Sequence, residues 1–508
     1  MREWDAVRIA DAAGARLIAG PSRDAAPARG AASFAIAGEP GPRRASIDSR
    51  AVRRGDLFVG LRGEHVDGGA YAAQALAAGA WGALVAPEHA DEVLAGALAG
   101  PGGAVLVHPD PLAGLQLLAR AWRRELGEAG AKVVAITGST GKTSTKDILA
   151  ALLAAPASAE DVSGERAPGM RTVASPENFN TEIGLPLAVL AAPAGTEALV
   201  LELAMRGAGQ IAQLTEIAAP DVGVIVNVGP VHLELLGSLE AIAAAKAELI
   251  AGMATGTTVV VPVDEPLLEP HRRADMNTIT FGAGGDVELV ERRTDGELTI
   301  AAGTERLSLR PSFAQRHNLT NLLAAVAAAR ALGVTPGGDL DVRFSALRGE
   351  RIALPGGVTL VNDCYNANPM SMRAAIDDLT ETAPARRMAV LGDMLELGQA
   401  AGPSLHREVG AYAAARGVDV LVTVGPLAAA MAGAFAGESH SAPDAEAAAE
   451  LLGVLLREGD TVLVKGSRGV GLERVAQALA REQHGSRPGS DRSPARSDPF
   501  AGRPAERR

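Results

Sequence analysis

The sequence predicts an α/β protein in which a central domain with a doubly wound parallel sheet is flanked by two further α/β domains. Its 508 residues exceed what a single hydrophobic core normally supports. Short apolar runs alternate with longer helical stretches along most of the chain, as in parallel sheets with crossover helices. This alternation restarts near residues 126 and 340, so we expect domains at 1–125, 126–339 and 340–483.

The first predicted domain, residues 1–125, contains short apolar strands and ends in a helix. The strands are expected at Asp56–Leu61, Gly82–Ala86 and Ala104–Val107. The closing helix, Pro111–Leu126, has apolar residues at helical spacing. In the central domain, expected strands and helices alternate in the order Lys132–Ile136, Thr143–Ala155, Ala198–Leu203, Val222–Val228 and Ser238–Met253.

The third predicted domain is Rossmann-like, because strands and helices alternate in it again. Its strands and one clear helix are expected at Val358–Asn362, Ser371–Leu379 (the helix), Met388–Leu391, Val418–Val424 and Thr461–Val464. Two stretches lack this pattern. Residues 154–170 predict a surface excursion, and the Arg-, Pro- and Ser-rich tail 484–508 predicts disorder.

Composition restricts the function and location of the chain. A net charge of −12 disfavours binding to duplex nucleic acid, which usually requires a basic face. The single cysteine, Cys364, excludes an internal disulfide and fits a reducing cytosol. The sequence contains no uninterrupted apolar stretch long enough for a membrane span. We therefore expect a cytoplasmic protein. We also expect a monomer that acts on small-molecule substrates.

A phosphate-binding loop is the strongest functional signal. Only five of the 48 basic residues are lysines, and a lysine retained in so Arg-rich a chain indicates a role for its compact, titratable amine. One of them, Lys142, lies in T-G-S-T-G-K-T at Thr137–Thr143, between a predicted strand and a helix. Backbone N–H groups there suit phosphate oxygens, and Thr143 can ligate Mg²⁺. Ile136 replaces the first glycine of the full motif, but the strand–loop–helix context still predicts nucleotide binding.

Two polar residues mark the ends of neighbouring predicted strands. Glu202 is near the end of one strand and His232 follows another. Because ligands gather at the carboxyl ends of parallel strands, both residues are expected in the same crevice as Thr143. A carboxylate and an imidazole near phosphates suit Mg²⁺, with Mn²⁺ as the alternative. Considered separately, each residue is more often structural or simply solvated.

Lys246 is expected on the apolar face of the helix Ser238–Met253, because it follows Leu239 by seven residues and Ile242 by four. A buried ammonium must reach solvent, pair with an acid or lose its proton. A neutral lysine amine can also capture CO₂ and become an anionic metal ligand. Spacing alone favours a salt-bridged or solvent-reaching lysine.

Several motifs together resemble the Mur ligases, the ATP-dependent amide-forming enzymes of bacterial cell-wall synthesis. The resemblance extends from about residue 45 to 480. Its central matches are Thr137–Thr143, Glu202, N-x-G-x-x-H-L-E at 227–234, Lys246 and H-N-x-x-N at 317–321. Further matches point to the branch that adds D-alanyl-D-alanine to UDP-N-acetylmuramoyl-tripeptide, and they are Asn362–Pro369 with Ser371-Met372, G-D-M-x-E-L-G at 392–398 with His406, and Lys465–Arg468.

The resemblance implies a P-loop ATPase-like central domain with bound ATP and Mg²⁺. Lys142, Lys246 and His232 would be catalytic. Thr143 and Glu202 would bind one metal ion, and His232 with N6-carboxylated Lys246 a second. The nucleotide would also contact Thr137, Gly138, Ser139, Thr140, Gly141, His317, Asn318, Asn321, Arg351 and Asp363.

The resemblance also implies two substrate regions. In the N-terminal domain Asp48-Ser49-Arg50, Gly55–Phe58 and Asp67-Gly68 resemble a UDP-sugar-binding domain. The substrate residues would be Ser49, Arg50, Asp67, Gly68, Asn180, Tyr365, Asn366, Asn368, Ser467 and Arg468. Two residues depart from the branch pattern, since Asn362 replaces an aspartate and Gly69 stands where His is frequent. The sequence leaves open whether the third peptide residue is meso-diaminopimelate or lysine.

Three other functions compete with this interpretation. The nearest is a sibling Mur ligase that adds a single amino acid, which the 363–369 segment disfavours. A P-loop regulatory switch would need an N/T-K-x-D base-reading motif, which none of the five lysines supplies. A catalytically inactive cell-wall scaffold is disfavoured because Lys142, Glu202, His232 and Lys246 are all present.

Overall fold

Three sheets organise the described chain, one in each predicted domain. The computed structural model describes residues 1, 3–21, 32–34, 41–100, 102–156, 168–176 and 178–482. The predicted tail, 484–508, and most of the predicted excursion, residues 157–167, lie outside these ranges. Within the described ranges, no helix combines the length and apolar character needed to cross a membrane.

The N-terminal sheet carries the loops predicted to bind a UDP-sugar. Its strands are β1 (Arg16–Pro21), β2 (Ala32–Phe34), β3 (Ala45–Ser46), β4 (Leu57–Val59), β5 (Gly82–Val85) and β6 (Ala104–Val107). The helices are α1 (Ala6–Ala12), α2 (Ala72–Ala77), α3 (Ala90–Ala99) and α4 (Pro111–Glu128). In the order β2-β1-β6-β5-β4-β3, only β1 and β6 pair antiparallel.

The central sheet is the largest, with ten strands in the described residues. The strands are β7 (Lys132–Thr137), β8 (Thr172–Ala174), β9 (Ala198–Glu202), β10 (Val222–Ile225), β11 (Thr258–Pro262), β12 (Asn277–Phe281), β13 (Val287–Arg292), β14 (Leu298–Ala302), β15 (Glu305–Pro311) and β16 (Gly338–Leu340). The helices are α5 (Lys142–Ala154), α6 (Gly184–Ala191), α7 (Gln210–Ala218), α8 (Leu233–Leu236), α9 (Leu239–Gly252) and α10 (Arg316–Ala331).

The predicted parallel sheet is confirmed for β7–β12, whose strand pairs are all parallel. The sheet continues beyond β12 through β13–β16, and there the expectation of a parallel sheet is wrong. Strand β14 runs antiparallel to both β13 and β15. Alternate residues of β14, namely Leu298, Ile300 and Ala302, are buried, as in a strand with one covered face. An Asp-Gly turn at 295–296 precedes β14, so the sequence does contain a hairpin signal here.

The C-terminal domain has the predicted Rossmann-like alternation. Its strands are β17 (Glu350–Ala353), β18 (Thr359–Asn362), β19 (Arg387–Gly392), β20 (Val420–Val424), β21 (Glu438–Ala442) and β22 (Thr461–Lys465). The helices are α11 (Pro369–Thr382), α12 (Gly398–Ala415), α13 (Ala429–Ala432), α14 (Ala445–Leu455) and α15 (Glu473–Glu482). All of its strand pairs are parallel except β17 with β18.

Helix α4 joins the N-terminal domain to the central one. It packs on α6 and α7 of the central domain. The buried Arg123 donates through Nε to the carbonyl of Ala218 at 2.8 Å, and through Nη2 to Ala219 at 2.7 Å and Asp221 at 3.1 Å. These bonds satisfy carbonyl groups that the end of α7 leaves without partners inside the helix.

Replacing Arg123 by Met should lower the free energy of unfolding by about 3 kcal/mol, because buried carbonyls and Asp221 lose a charged donor. Arg124→Met, at the exposed neighbouring position, should change it by less than about 0.5 kcal/mol. Urea unfolding of both variants checks this expectation. Equal effects at the two positions would contradict it.

Candidate functional site

The predicted phosphate loop lies at the carboxyl edge of the central sheet, between β7 and α5. Gly138 and Gly141 have φ values of 155° and 77°. A Cβ on Gly141 would lie 2.4 Å from Oδ1 of Asn321, which packs against the loop from α10. Glycine is therefore required at 141 both by its backbone conformation and by this close approach.

Asn227, which follows β10, fixes the conformation of the loop. Its Oδ1 accepts hydrogen bonds from the backbone N–H of Ser139 at 3.1 Å and of Thr140 at 2.9 Å. Its Nδ2 donates to the Thr140 carbonyl at 3.2 Å. The Ser139 hydroxyl donates to the Gly229 carbonyl at 3.0 Å. Asn227 therefore occupies two amides of the loop. The N–H groups at the start of α5 have no side-chain cap, so they can face an anion.

Lys142, the first residue of α5, turns back over the loop. Its Nζ donates to the Gly138 carbonyl at 2.9 Å. Burial lowers the pKa of Lys142 and the nearby Arg348 charge lowers it further, while Glu202 acts in the opposite direction. A half-buried ammonium held by one carbonyl is suited to meet phosphate oxygens.

Thr143 and Glu202 lie together, as predicted. The Thr143 hydroxyl donates to Oε2 of Glu202 at 2.6 Å, and both residues are buried. Nδ2 of Asn180, predicted as a substrate residue, donates to Oε1 of the same carboxylate at 2.9 Å. A hydroxyl and an oriented carboxylate beside a phosphate loop form a donor set that suits Mg²⁺.

Lys246 is buried in α9 without a partner. Its side chain has no hydrogen bond or ion pair within the described residues, so the pairing that spacing alone favours is not found. Burial lowers the pKa of Lys246 well below its ordinary value, and the charge of Lys142 adds to this effect. Both effects favour the neutral, nucleophilic form of the amine.

His232 faces the C-terminal domain. It adopts a left-handed conformation, with φ 53°, at the start of α8. Its Nδ1 lies 2.8 Å from Oε2 of Glu396, the residue of the C-terminal domain that reaches it. Burial raises the pKa of Glu396, but the contact with His232 and the charge of Lys142 bring it below its ordinary value.

The predicted ligands meet as pairs rather than as one cluster. In the described ranges, the one group of three His, Cys, Asp or Glu side chains with closely spaced ligand atoms is Asp67, Glu88 and His89 of the N-terminal domain. Glu202 and His232 thus belong to no such group. Instead, Glu202 pairs with Thr143, and His232 pairs with Glu396.

The predicted nucleotide residues separate into two places. Asn318 and Asn321 are buried at the start of α10 and bond to each other at 3.2 Å, beside the loop. His317 is exposed. Arg351 instead donates to Asp378 at 2.8 Å and lines a cavity of about 380 Å³ together with residues before α10. That lining does not include the phosphate loop.

The predicted nucleotide residue Asp363 and the predicted substrate residues Tyr365 and Asn366 lie together after β18. Asp363 accepts a hydrogen bond from the buried Lys465 at 2.7 Å, and Lys465 also donates to the Asn366 carbonyl at 3.0 Å. The ring of Tyr365 lies 4.0 Å from the guanidinium of Arg348 and 5.6 Å from that of Arg468. A tyrosine held by two cations presents an aromatic and cationic surface.

Two other predicted substrate residues of the C-terminal domain support its backbone. Asn368 caps α11 and exchanges hydrogen bonds with Ser371. The Ser467 hydroxyl accepts from the N–H of Leu395 at 3.0 Å. These contacts shape the loops around Tyr365.

In the N-terminal domain the predicted residues occupy two loops next to β3 and β4. Ser49 and Arg50 form a helical turn capped by Asp48, whose carboxylate also accepts from Nε of Arg50 at 2.9 Å. Asp67 caps the turn that begins at Gly68, and its Oδ2 lies 2.9 Å from Nε2 of His89.

Sequence reasoning missed the roles of three residues. Asn227 binds the phosphate loop, Arg348 lies over Tyr365 within electrostatic reach of Lys142, and Glu396 meets His232. Glu396 lies in the G-D-M-x-E-L-G segment, whose pattern alone indicates no role for the acid. Arg348 carries no local motif of its own.

The fold and this site define a three-domain α/β protein of the P-loop class. Family models match three segments: "Mur ligase family, catalytic domain" at 44–123, "Mur ligase middle domain" at 136–329 and "Mur ligase, glutamate ligase domain" at 347–468. The UDP-N-acetylmuramoyl-tripeptide–D-alanyl-D-alanine ligase of Bacillus subtilis is 35% identical, over 85% of this chain and 92% of its own length. The chain belongs to the Mur ligase family.

Solved structures agree with this assignment. A MurF crystal structure from Acinetobacter baumannii aligns with a TM-score of 0.77 and 27% identity, over 94% of this chain and 99% of that one. The MurF ligase of Thermotoga maritima, solved in complex with ADP, aligns with a TM-score of 0.70 and 30% identity, over 87% and 98%. The three-domain prediction is thereby confirmed.

Gly141→Ala should weaken ADP binding by roughly tenfold or more, about 1.4 kcal/mol, because the added methyl group meets Asn321 and distorts the loop. Gly256→Ala is the matched control, since Gly256 has φ +78° and no atom near the new methyl group. Calorimetric titration of both variants with ADP measures the difference. Equal ADP affinities would contradict the proposed loop geometry.

Proposed function

We propose that this chain is an ATP-dependent ligase that joins D-alanyl-D-alanine to the terminal carboxylate of UDP-N-acetylmuramoyl-tripeptide. The observation that carries the proposal is that Lys142 of the phosphate loop lies within electrostatic reach of Arg348, whose guanidinium lies over the ring of Tyr365. Phosphoryl transfer and amine attack can then occur next to each other. The relatives' names favour addition of the dipeptide over addition of a single amino acid.

The chemical problem is that a carboxylate is a poor electrophile. An oxygen of the carboxylate attacks the γ-phosphorus of ATP, and the bond between that phosphorus and the oxygen bridging to the β-phosphate breaks. ADP departs, and the carboxylate has become an acyl phosphate. Lys142, the α5 amides and Arg348 balance the negative charge at that point, which is positioning and electrostatic work. Mg²⁺, for which Thr143 and Glu202 are suited, would neutralise further charge on the phosphate oxygens.

The dipeptide amine, after losing a proton to solvent, attacks the acyl carbon. A C–N bond forms and the C–O bond to phosphate breaks, so the products are the amide and inorganic phosphate. Water must be excluded because it would hydrolyse the acyl phosphate. Contacts between the domains, such as that of His232 with Glu396, support such closure.

We place an N6-carboxylate on Lys246. The neutral amine adds to CO₂ and releases a proton, and the resulting anion would offset the charge of Lys142. The absence of any acid partner for Lys246 among the described residues supports this assignment. A cytoplasmic location, a monomeric state and the UDP-sugar contacts of Ser49, Arg50, Asp67 and Gly68 stay predictions.

Phosphate release from ATP should be strong only when UDP-N-acetylmuramoyl-tripeptide and D-alanyl-D-alanine are both present. Mass spectrometry should show a product heavier by one dipeptide residue. Lys142→Met is the control, and it should release phosphate at least roughly 100-fold more slowly because a cation at the phosphates is lost. Release with single amino acids in place of the dipeptide would indicate a sibling ligase.

Lys246→Ala should lower kcat by roughly 100-fold or more, because an anion that orders the site is lost. Added formate or acetate should partly restore the rate, whereas added methylamine should not. With ¹³C-bicarbonate, NMR should show a carbamate signal in the wild type and none in the variant. Rescue by the amine instead would mean that the ammonium is the active form.

A further inference from the structure

The segment 392–398 is held in place through two of its backbone amides by the side chains of His406 and Ser467. His406 is fully buried, and its Nε2 accepts from the N–H of Met394 at 3.0 Å while its Nδ1 contacts the Gly402 carbonyl at 2.6 Å. The Ser467 hydroxyl accepts from the next amide, that of Leu395, at 3.0 Å. Two consecutive backbone amides are thus fixed just before Glu396.

Segment 392–398 places the side chain of Glu396 in contact with the central domain. Oε2 of Glu396 lies 2.8 Å from Nδ1 of His232. Nearby, Gly398 has φ 71° and packs against Glu234, since a Cβ there would lie 3.3 Å from the Glu234 Cβ. The contact between Glu396 and His232 is therefore part of a packed junction between the domains, not an isolated surface pair.

Metal-binding histidines commonly direct their second ring nitrogen to a carboxylate, which orients the ring and sets its tautomer. In this structure Nδ1 lies at ion-pair distance from Glu396 but without hydrogen-bond geometry. A rotation of the ring would form that bond and leave Nε2 for a metal ion. The carboxylate comes from a different domain than the histidine. The orientation of His232 consequently depends on the docking of the C-terminal domain.

We propose that Glu396 is a positioning residue that orients His232, so that the second metal site reaches full affinity only when the C-terminal domain is docked. The inference rests on the proposed function and on one implication of the family resemblance, that His232 is a ligand of a second metal ion. By linkage, a metal ion bound at His232 must favour domain docking by the same factor by which docking favours the metal ion.

The test is Mn²⁺ binding to the full-length protein with ADP and bicarbonate, with free Mn²⁺ measured by electron paramagnetic resonance. The wild type should bind two equivalents. Glu396→Ala should weaken the second equivalent by about 10- to 100-fold, the usual cost of losing such a partner, and Glu396→Gln should weaken it less. The control is Glu408→Ala, which removes an exposed acid of the same domain that pairs with Arg373 at 2.9 Å.

A double-variant comparison separates orientation of His232 from a general loss of charge. In a His232→Ala background, Glu396→Ala should cause no further loss of Mn²⁺ affinity. The proposal is overturned by wild-type affinity in Glu396→Ala, by an undiminished effect in the His232→Ala background, or by a single equivalent in the wild type. Failure of the amide-forming assay alone would count against the proposed function, because Mn²⁺ binding does not depend on turnover.

Discussion

The half-buried Lys142 and the buried Lys246 lie within electrostatic reach of one another, and this constraint governs the site. Two charged ammonium groups in one enclosed place would repel each other, so one must lose its proton or an anion must enter. The charge of Lys142 is stabilised by the Gly138 carbonyl and, at longer range, by the carboxylates of Glu202 and Glu396. The arrangement of the two lysines favours negatively charged groups in the site. Both the phosphates of ATP and a carbamate on Lys246 would supply such charge.

The sequence was sufficient to predict the features that depend on local pattern. The three domains, the strand–loop–helix unit and the meeting of Thr143 with Glu202 follow from apolar alternation and from the parallel order of β7 and β9. The antiparallel strands β13–β15 were missed although an Asp-Gly turn marked them. The contacts of Asn227, Arg348 and Glu396 could not be predicted, since each joins segments far apart in the chain and depends on how loops and domains pack.

The linker between the central and C-terminal domains, which contains Ser345, is hydrogen-bonded to the helix α5 that follows the phosphate loop. Lys146 is buried on α5, pairs with Asp147 at 2.8 Å and donates to the Ser175 carbonyl at 3.0 Å. The other oxygen of Asp147 accepts from the linker amide of Ser345 at 2.8 Å. Ser175 in turn accepts from the N–H of Glu202 at 3.1 Å. One buried network therefore connects a proposed metal ligand to the segment about which the domains would move.

The scarcity of lysine has a practical consequence for conjugation chemistry. Lys146, Lys246 and Lys465 are buried and Lys142 is half-buried, whereas the side chain of Lys132 is 54% exposed. Among the five lysines, an amine-reactive dye or surface would therefore attach mainly at Lys132. Lys132 is the first residue of β7, and the phosphate loop follows the last residue of the same strand. The attached group would therefore lie at the opposite edge of the sheet from the nucleotide site and leave that site accessible.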